Sequence, residues 1–229
     1  MIAVAIDGPA GAGKSTIAKA VAAKLQYVYV DTGALYRAIG WYALFHQTNT
    51  QDAEAVTALL PEISLSLKFV GGEQRVFVNG EDVSVQIRYP EASMAASHVS
   101  AIPVVREFLF ALQQNLAQEN NVIMDGRDIG TVVLPNAQIK IFLTASAEDR
   151  AARRYKQLEE AGTPVDYNKL LAEIKERDYN DSHRAIAPLK QADDAQLIDT
   201  TGESLEASIA RVEELIRGRL KQLGEEPSA

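Results

Sequence analysis

The sequence Gly-Pro-Ala-Gly-Ala-Gly-Lys-Ser at residues 8–15 contains the residue types of a phosphate-binding loop. It fits the pattern G-x-x-x-x-G-K-[ST], with Gly8, Gly13, Lys14 and Ser15 at the four specified positions. Glycines allow backbone N–H groups to surround phosphate oxygens, and the N-terminus of a following helix adds a partial positive charge. We expect Lys14 to reach the β- and γ-phosphates of a nucleoside triphosphate, and Ser15, with waters, to bind Mg²⁺.

The residues on both sides of this loop favour the strand–loop–helix setting that the pattern requires. Residues 2–6 are apolar and strand-like, and residues 16–25 place Ile17, Val21 and Leu25 at the i, i+4, i+8 spacing of one helix face. A glycine-rich turn that binds nothing is the alternative, and these flanks disfavour it. The residues expected to surround the triphosphate are Gly8, Pro9, Ala10, Gly11, Ala12, Gly13, Lys14, Ser15 and Thr16.

Arg150, Arg153 and Arg154 have the i, i+3, i+4 spacing that places side chains on one face of a helix. The planar guanidinium group binds phosphate oxygens in pairs, which suits it to compensate charge during phosphoryl transfer. The alternative is a solvated helix face, because acidic residues that could pair with these arginines are close in sequence. The segment 147–165 follows a predicted strand and ends in a glycine and a proline, as a hinged lid that excludes water would.

Other arginines occur near the ends of predicted strands. Arg37 lies on the helix expected after one strand, and Arg127 directly follows another. Arg177, Asp181 and Arg184 have the i, i+4, i+7 spacing and share a face if their helix extends to residue 184. Phosphoryl transfer requires mainly charge compensation and the in-line positioning of two oxygens, and these residues favour that chemistry.

Five apolar segments predict strands, at residues 2–6, 27–31, 121–125, 138–143 and 195–199. Helical segments lie between most of them, and this alternation is typical of an α/β fold with a mostly parallel sheet covered on both faces. Ligands bind in such folds beyond the carboxyl ends of the strands. Polar segments follow these ends, led by an aspartate in four cases: Asp7, Asp31, Asp125 and Asp199. A helix cap or a turn is the commoner role for any one such residue.

Residues 63–85 interrupt the alternation and predict a small antiparallel meander. The expected order is a strand at 63–69, a turn at Gly71-Gly72, a strand at 75–78, a hairpin turn at Asn79-Gly80 and a short strand at 81–85. Two helices follow, at 91–100 and from Pro103 onward. We interpret residues 34–118 as a subdomain inserted on the substrate side. Further helices are expected from 147, with Ser146 as N-cap, at 166–177 and at 203–222, before a polar tail at 224–229.

Composition excludes some classes of protein. The 229 residues are 47% hydrophobic and 24% charged, as in a globular protein with a large core. The 23 basic and 31 acidic residues give a net charge of −8, which argues against a general nucleic-acid coat or a membrane-surface role. There are no cysteines, so disulfides and thiolate metal sites are impossible. We expect no membrane span and no signal peptide, and a cytoplasmic location.

The chain resembles the cytidylate (CMP) kinases of bacteria, within the nucleoside monophosphate kinase family. The resemblance covers nearly the whole chain, including the meander. It is carried by four segments in order: Ile6 to Ser15, Asp31-Thr-Gly-Ala-Leu-Tyr-Arg37, Asp125-Gly-Arg-Asp-Ile-Gly-Thr-Val-Val133, and Glu173-Ile-Lys-Glu-Arg-Asp178 continuing to Arg184-Ala-Ile-Ala-Pro188.

The resemblance implies an enzyme that transfers a phosphoryl group from ATP, with Mg²⁺, to CMP or dCMP. It implies a P-loop kinase core of five mostly parallel strands (1–33 and 119–229), a monophosphate-binding subdomain (34–118) with its antiparallel insert at about 63–85, and a helical lid (147–165). The residues expected to stabilise the transferring group are Lys14, Arg127, Arg150, Arg154 and Arg184. A monomer with no nucleic-acid or membrane partner is expected.

The resemblance also assigns residues to CMP. Those matched to its phosphate are Arg37, Arg127 and Arg184; those beside the nucleotide are Thr32 and Tyr36; those near the sugar and phosphate are Arg177 and Asp181. Cytosine recognition falls to Ser97, Arg106 and Asp128. This last set is chemically reasonable, because a carboxylate accepts from the N4 amino group of cytosine but faces a carbonyl in uracil. The alternatives are a surface ion pair of Arg106 and a turn cap at Asp128.

Two other functions remain as alternatives. One is a kinase for a different small acceptor, such as another monophosphate or shikimate. The other is a regulatory GTPase or ATP-driven switch, since Asp199-Thr-Thr-Gly202 fits D-x-x-G. The guanine-binding pattern Asn-Lys-x-Asp is absent, because Asn168-Lys169 is followed by two leucines.

Overall fold

A computed structural model describes residues 1–70 and 73–225; the expected turn at 71–72 and the end of the polar tail at 226–229 lie outside the described residues. The strands are Ala3–Asp7 (β1), Val28–Asp31 (β2), Leu65–Val70 (β3), Glu73–Val78 (β4), Glu81–Asp82 (β5), Val122–Gly126 (β6), Ile139–Thr144 (β7) and Gln196–Asp199 (β8). The α-helices are Lys14–Leu25 (α1), Thr32–Phe45 (α2), Ala53–Leu59 (α3), Pro90–Val99 (α4), Pro103–Glu119 (α5), Ala147–Glu160 (α6), Tyr167–His183 (α7) and Leu205–Gln222 (α8). A single π-helical turn spans Ile129–Val133.

The chain divides into two compact units. The first unit contains Met1 and Tyr29–Asn120, and the second unit contains Ile2–Val28 together with the chain from Asn121 onward. The second unit therefore contains the glycine-rich loop, and the first contains the meander.

The larger sheet has five strands in the order β2-β6-β1-β7-β8. Strand β1 pairs in parallel with both β6 and β7, and β7 pairs in parallel with β8. Asp7 lies in register with Gly126 and Phe142, and Thr144 with Asp199. The carboxyl ends of these strands consequently meet at one edge, where open α/β sheets bind their ligands.

Burial explains why the second unit forms these elements. All five residues of β1 and all five of β6 are buried, as expected for central strands covered on both faces. Helix α1 packs against β6 and α8, and it buries Ile17, Val21 and Leu25 completely. Removing this continuous apolar face from water provides the main favourable contribution to folding.

The first unit combines the antiparallel sheet β3-β4-β5 with α2, α4 and α5. Asn79 and Gly80 both have positive φ, 51° and 84°, which is the geometry of the predicted two-residue hairpin turn. Leu35, Ile39 and Leu109 are among the residues that form its apolar core. No single helix among the described residues is long and apolar enough to span a membrane; the pair α4–α5, bent by 103° at its break, meets the length and composition requirement only when taken together.

The predicted strands of the larger sheet are confirmed, with boundaries that differ by a single residue. The predicted third strand at 81–85 is too long, because the Val76 N–H bonds to the Ser84 hydroxyl rather than to a strand partner. The predicted helix 166–177 is too short: Asp166 is its N-cap and α7 continues to His183. Its second half is polar, so no apolar period marks it. The short helix α3 and the π-turn were not predicted.

Gly8 tests the packing between the loop and the sheet. Its φ is 150°, and a Cβ atom there would lie 1.9 Å from the carbonyl oxygen of Leu143 in β7. Gly8→Ala should therefore lower the free energy of unfolding by about 3 kcal/mol or more. Gly218→Ala, at an exposed position of α8 where a Cβ meets no described atom within 4 Å, is the control and should raise it by about 0.5–1 kcal/mol. Equal urea midpoints for the two variants would contradict this account.

Candidate active site

The glycine-rich loop connects β1 to α1 in the second unit and holds its lysine inward. Gly13 has φ of 89° and is the N-cap of α1, so Lys14 is the first residue of the helix. The Lys14 side chain is buried, and its Nζ donates a hydrogen bond of 2.7 Å to the carbonyl oxygen of Pro9. The ammonium group thus lies across the loop, where an anion bound by the loop N–H groups would meet it.

Lys14 is electrostatically strained. Burial, and secondly the charge of Arg127, lower the pKa of Lys14 to about 7, although Asp125, Asp7 and Asp181 oppose this shift. A bound phosphate adds negative charge beside the ammonium group and so favours its charged form. The buried lysine is therefore suited to bind an anion.

Ser15 has an acidic partner on the neighbouring strand. Its hydroxyl donates a hydrogen bond of 2.9 Å to Oδ2 of Asp125 in β6. Both groups offer oxygen ligands, which Mg²⁺ prefers, and Mg²⁺ commonly binds few protein groups together with substrate phosphates and water. Among residues 1–70 and 73–225, no group of three or more His, Cys, Asp or Glu could hold a metal ion. The donor set at Ser15 fits a magnesium ion that arrives with a nucleotide.

Two arginine–aspartate pairs lie in the second unit near the carboxyl end of β6. Arg127 Nε donates to Asp181 Oδ2 at 2.8 Å, and Arg184 Nη2 approaches Asp128 Oδ1 at 3.4 Å. Both aspartates are buried. Burial alone raises the pKa of Asp181, but Arg127, Arg177 and Arg184 outweigh it, so the pKa lies below its usual value. Asp181 is therefore held as an anion by the neighbouring arginines.

The expected single helix face of Arg177, Asp181 and Arg184 is only partly correct. Helix α7 carries Arg177 and Asp181 but ends at His183, so Arg184 lies just beyond it in extended backbone. Its Nε donates to the carbonyl oxygen of Ala187, at 2.6 Å. The turn after the helix, rather than helical spacing, directs this guanidinium towards Asp128.

Helix α6 carries Arg150, Arg153 and Arg154 at the predicted spacing, and the alternative of a solvated helix face is wrong for Arg150, whose side chain is only 4% exposed. The Arg150 guanidinium donates to the carbonyl oxygens of Ala145 and Ala10 and forms a two-pronged pair with Asp178 in α7. Four of its five N–H groups are used in these bonds. Arg150 therefore connects α6 and α7 to the glycine-rich loop.

The other two arginines of α6, Arg153 and Arg154, differ from Arg150 in their exposure and in their hydrogen-bond partners. Arg153 is half-buried, pairs with Asp149 and donates to the carbonyl oxygen of Thr200 at 2.7 Å. Arg154 is exposed and has a long hydrogen bond of 3.4 Å to Gln157. The three arginines thus have three separate environments, which their spacing alone could not indicate.

In the first unit, the predicted phosphate-binding residue Arg37 forms an ion pair with the last residue of β2. Arg37 Nη2 pairs with Asp31 Oδ2 at 2.6 Å, and the same carboxylate caps α2 by accepting from the Ala34 N–H at 3.0 Å. Gln74 in β4 bonds to both the N–H and the carbonyl oxygen of Asp31. Thr32 is the buried first residue of α2. Asp31 is thus both the helix cap that its position suggests and the partner of Arg37.

The first unit also brings together three of the residues matched to the nucleotide. The Arg106 guanidinium lies 5.6 Å from the ring centroid of Tyr36, within cation–π range. Arg106 Nη1 donates to the carbonyl oxygen of Ser100, whose own hydroxyl donates to the carbonyl oxygen of Ser97. Arg106 is buried, so the alternative of a simple surface ion pair is wrong. Asp128 belongs to the second unit, and its side chain makes no capping bond to the π-turn that follows it, so the turn-cap alternative is wrong for that turn.

Sequence reasoning missed the residues that hold these side chains in place. Asp125 was noted only as a strand-end residue, and Asp178 and Gln74 were not noted for any site. The parallel register of β6 with β1 is the signal that could have connected Asp125 to the loop. For Asp178 and Gln74 the sequence contains no comparable signal, because their partners are distant in the chain.

Arg150 and Arg154 provide a matched pair of variants. Arg150→Ala leaves Asp178 and two buried carbonyl oxygens without their donor, so it should lower the free energy of unfolding by about 2–3 kcal/mol. Arg154→Ala should change it by no more than about 0.5 kcal/mol, because that side chain is exposed. Urea denaturation measures both, and similar midpoints would show that the Arg150 bonds contribute little.

The chain is similar to known proteins over nearly its whole length. The family model described as Cytidylate kinase matches residues 4–218. A cytidylate kinase of Caldicellulosiruptor bescii is 53% identical over 214 residues, covering 93% of this chain and 95% of that protein. A cytidylate kinase of Streptococcus sanguinis is 52% identical, with the same coverage of both chains. Among solved structures, an uncharacterized protein from Eubacterium ventriosum has a TM-score of 0.52 at 13% identity, covering 94% of this chain and 98% of that one, which indicates a similar fold alone. The chain belongs to the cytidylate kinase family.

Proposed function

We propose that the protein transfers the terminal phosphoryl group of ATP to CMP and dCMP, giving CDP and dCDP. The observation that carries this proposal is a group of cations near the carboxyl ends of β1 and β6: the buried Lys14 on the loop, and the partly buried Arg127 and Arg184, each paired with a buried aspartate. Two polyanionic nucleotides repel each other, and a site that joins them must supply positive charge to both. The names of the relatives support CMP as the acceptor.

ATP binds the glycine-rich loop in this proposal. Its phosphates lie against the N–H groups of residues 8–16 and the N-terminus of α1, and Lys14 pairs with the β- and γ-phosphates. The lowered pKa of Lys14 supports this role, because a phosphate stabilises the ammonium group that burial penalises. Arg150 holds Ala10 of the loop through its carbonyl oxygen, so it acts through the loop, while the exposed Arg154 on the same helix reaches the phosphates directly.

Ser15 is the protein ligand proposed for magnesium, with waters, and Asp125 orients its hydroxyl. When bound with ATP, Mg²⁺ would neutralise negative charge on the phosphate oxygens. In this proposal Lys14 and the arginines of the chain compensate the rest of the negative charge on the phosphates.

The acceptor nucleotide is proposed to contact the residues that match the CMP-binding positions of the family. In this proposal the phosphate-binding residues are Arg37, Arg127 and Arg184; Thr32 and Tyr36 lie beside the nucleotide, and Arg177 and Asp181 near the sugar and phosphate; Ser97, Arg106 and Asp128 recognise cytosine. In the first unit, the contact of Arg106 with the Tyr36 ring supports this set. In the second, the buried Asp128 carboxylate provides an acceptor suited to the cytosine amino group.

The proposed reaction needs no general base, because the attacking atom is already an anionic phosphate oxygen. The arginines hold this oxygen in line with the γ-phosphorus of ATP and take up charge as the bond to ADP breaks. Residues 147–165 act as a lid that keeps water from accepting the phosphoryl group. The core of residues 1–33 and 119–229, the monophosphate-binding subdomain 34–118, a monomeric state and a cytoplasmic location belong to the same proposal, with no nucleic-acid or membrane partner.

Lys14 and Lys24 test the role of the loop lysine. Lys14→Ala should lower kcat for CMP phosphorylation by about two orders of magnitude or more, since the transferring group loses a buried cation. Lys24→Ala, at the other end of α1, removes an exposed lysine that pairs with Glu213, and should leave kcat within about twofold. A coupled ADP-release assay measures both, and an active Lys14→Ala variant would contradict the assignment.

Asp128 tests the choice of base. Asp128→Ala should reduce the ratio of kcat/KM for CMP to that for UMP by about tenfold, the effect of one lost hydrogen bond to a charged group. The exposed Asp193→Ala variant is the control and should keep the wild-type ratio. The same assay with the two acceptors measures the ratio. An unchanged ratio in Asp128→Ala would remove this residue from cytosine recognition.

A further inference from the structure

Asp7 is a buried carboxylate that the proposed reaction does not use. It is the last residue of β1 and directly precedes the glycine-rich loop, and its side chain bonds to the π-turn after β6. Its Oδ1 accepts from the N–H of Ile129 and its Oδ2 from the N–H of Gly130, both at 2.7 Å. Both oxygens are thus committed to the backbone of the turn.

The π-turn has no cap of its own. Its carbonyl acceptors Asp128 and Ile129 receive the N–H groups of Val133 and Leu134, which leaves the first N–H groups of the turn without partners inside it. An aspartate at the N-cap position normally satisfies such groups. Here the N-cap is Asp128, its side chain makes no capping bond, and it pairs with Arg184 instead. Asp7 supplies the cap from the neighbouring strand.

The fit between Asp7 and the turn is close. A Cβ atom at Gly130 would lie 3.3 Å from Asp7 Oδ2 and 3.2 Å from Lys140 Cδ, so a larger residue there requires the side chain of Asp7 or Lys140 to shift by a few tenths of an ångström. Burial raises the pKa of Asp7 to about 6, against the two backbone hydrogen bonds and Lys14, which lower it, and with Asp128, which raises it further. An ionised carboxylate is therefore kept in this position at neutral pH in spite of its desolvation cost, as is common for functional groups.

We propose that Asp7 is a positioning residue, which caps the π-turn from β1 and thereby fixes the backbone of Asp128 while leaving the Asp128 side chain to Arg184 and to the acceptor base. The role of Asp128 towards the base rests on the proposed function; the capping role does not. Asp7 couples the strand that begins the ATP loop to the segment that recognises the acceptor.

Proton NMR of the wild-type protein tests the cap directly. If the Asp7 carboxylate accepts from Ile129 and Gly130, the amide proton shifts of these two residues follow its ionisation, with a midpoint near pH 6. The Asp7→Asn variant is the control, in which this titration disappears. Amide protons of Ile129 and Gly130 that resonate at the same positions in the wild type and in Asp7→Asn at pH 8 would overturn the proposal, whatever the enzyme's substrate proves to be.

Kinetics tests the positioning role. An asparagine offers one acceptor oxygen in place of two, so Asp7→Asn should reduce the CMP-to-UMP ratio of kcat/KM by about tenfold, while the Kd of ATP changes by no more than about threefold. Gly130→Ala, which disturbs the same contact from the other side, should lower the ratio likewise, and Gly218→Ala should leave it unchanged. If Asp7→Asn or Gly130→Ala folds and keeps the wild-type CMP-to-UMP ratio of kcat/KM, Asp7 has a merely structural role. The same conclusion follows if kcat/KM for CMP, kcat/KM for UMP and the affinity for ATP all fall by the same factor. Absence of activity towards CMP in the wild type would refute the proposed function instead, and the amide titration would still test the cap.

Discussion

The second unit depends on one constraint: charges that are removed from water near the carboxyl ends of β1 and β6 must compensate each other. The charges of Asp7 and Asp125 are close enough to Lys14 to shift its pKa. Arg127 also shifts this pKa, and it forms an ion pair with Asp181. An isolated buried charge is strongly unfavourable, so each member limits where its partners can be. The positions of the reactive side chains follow from this mutual pairing as much as from the helices and strands that carry them.

Such pairing also prepares the site for a polyanionic ligand. Each arginine near β6 already has an anionic partner, so its guanidinium is oriented before any nucleotide arrives. Preorganised donors contribute to catalysis because they need not reorient as charge moves. Arg150 in α6 is oriented in the same way, because it pairs with Asp178 in α7. It also donates to the carbonyl oxygen of Ala10 and so connects both helices to the loop.

The sequence alone was sufficient for the sheet and for the loop, because both depend on local patterns. Alternating apolar segments predicted the strands, and the residues around Lys14 predicted the turn into α1. It was insufficient for Arg150, because helical spacing left a solvated face open as an alternative although its guanidinium bonds to residues distant in the chain. Spacing reports which residues share a helix face, whereas burial depends on what packs against that face.

The strand-end aspartates show the same limit in another form. Position alone gives Asp7, Asp31 and Asp125 one description, yet Asp31 caps its own helix, Asp125 receives a loop hydroxyl and Asp7 caps a distant π-turn. Sheet register, which brings β1 beside β6, separates these roles. A π-turn has no sequence signature comparable to an apolar period, so its cap could be found only in three dimensions.

The central claim is that Arg127 and Arg184, each held by a buried carboxylate, become the ligands of the acceptor phosphate. A crystal structure with CMP and a non-hydrolysable ATP analogue tests it most directly. The account predicts that the CMP phosphate oxygens lie within about 3 Å of the guanidinium groups of Arg127 and Arg184. An ordered CMP whose phosphate is bound elsewhere, with both arginines bonded only to Asp181 and Asp128, would contradict it.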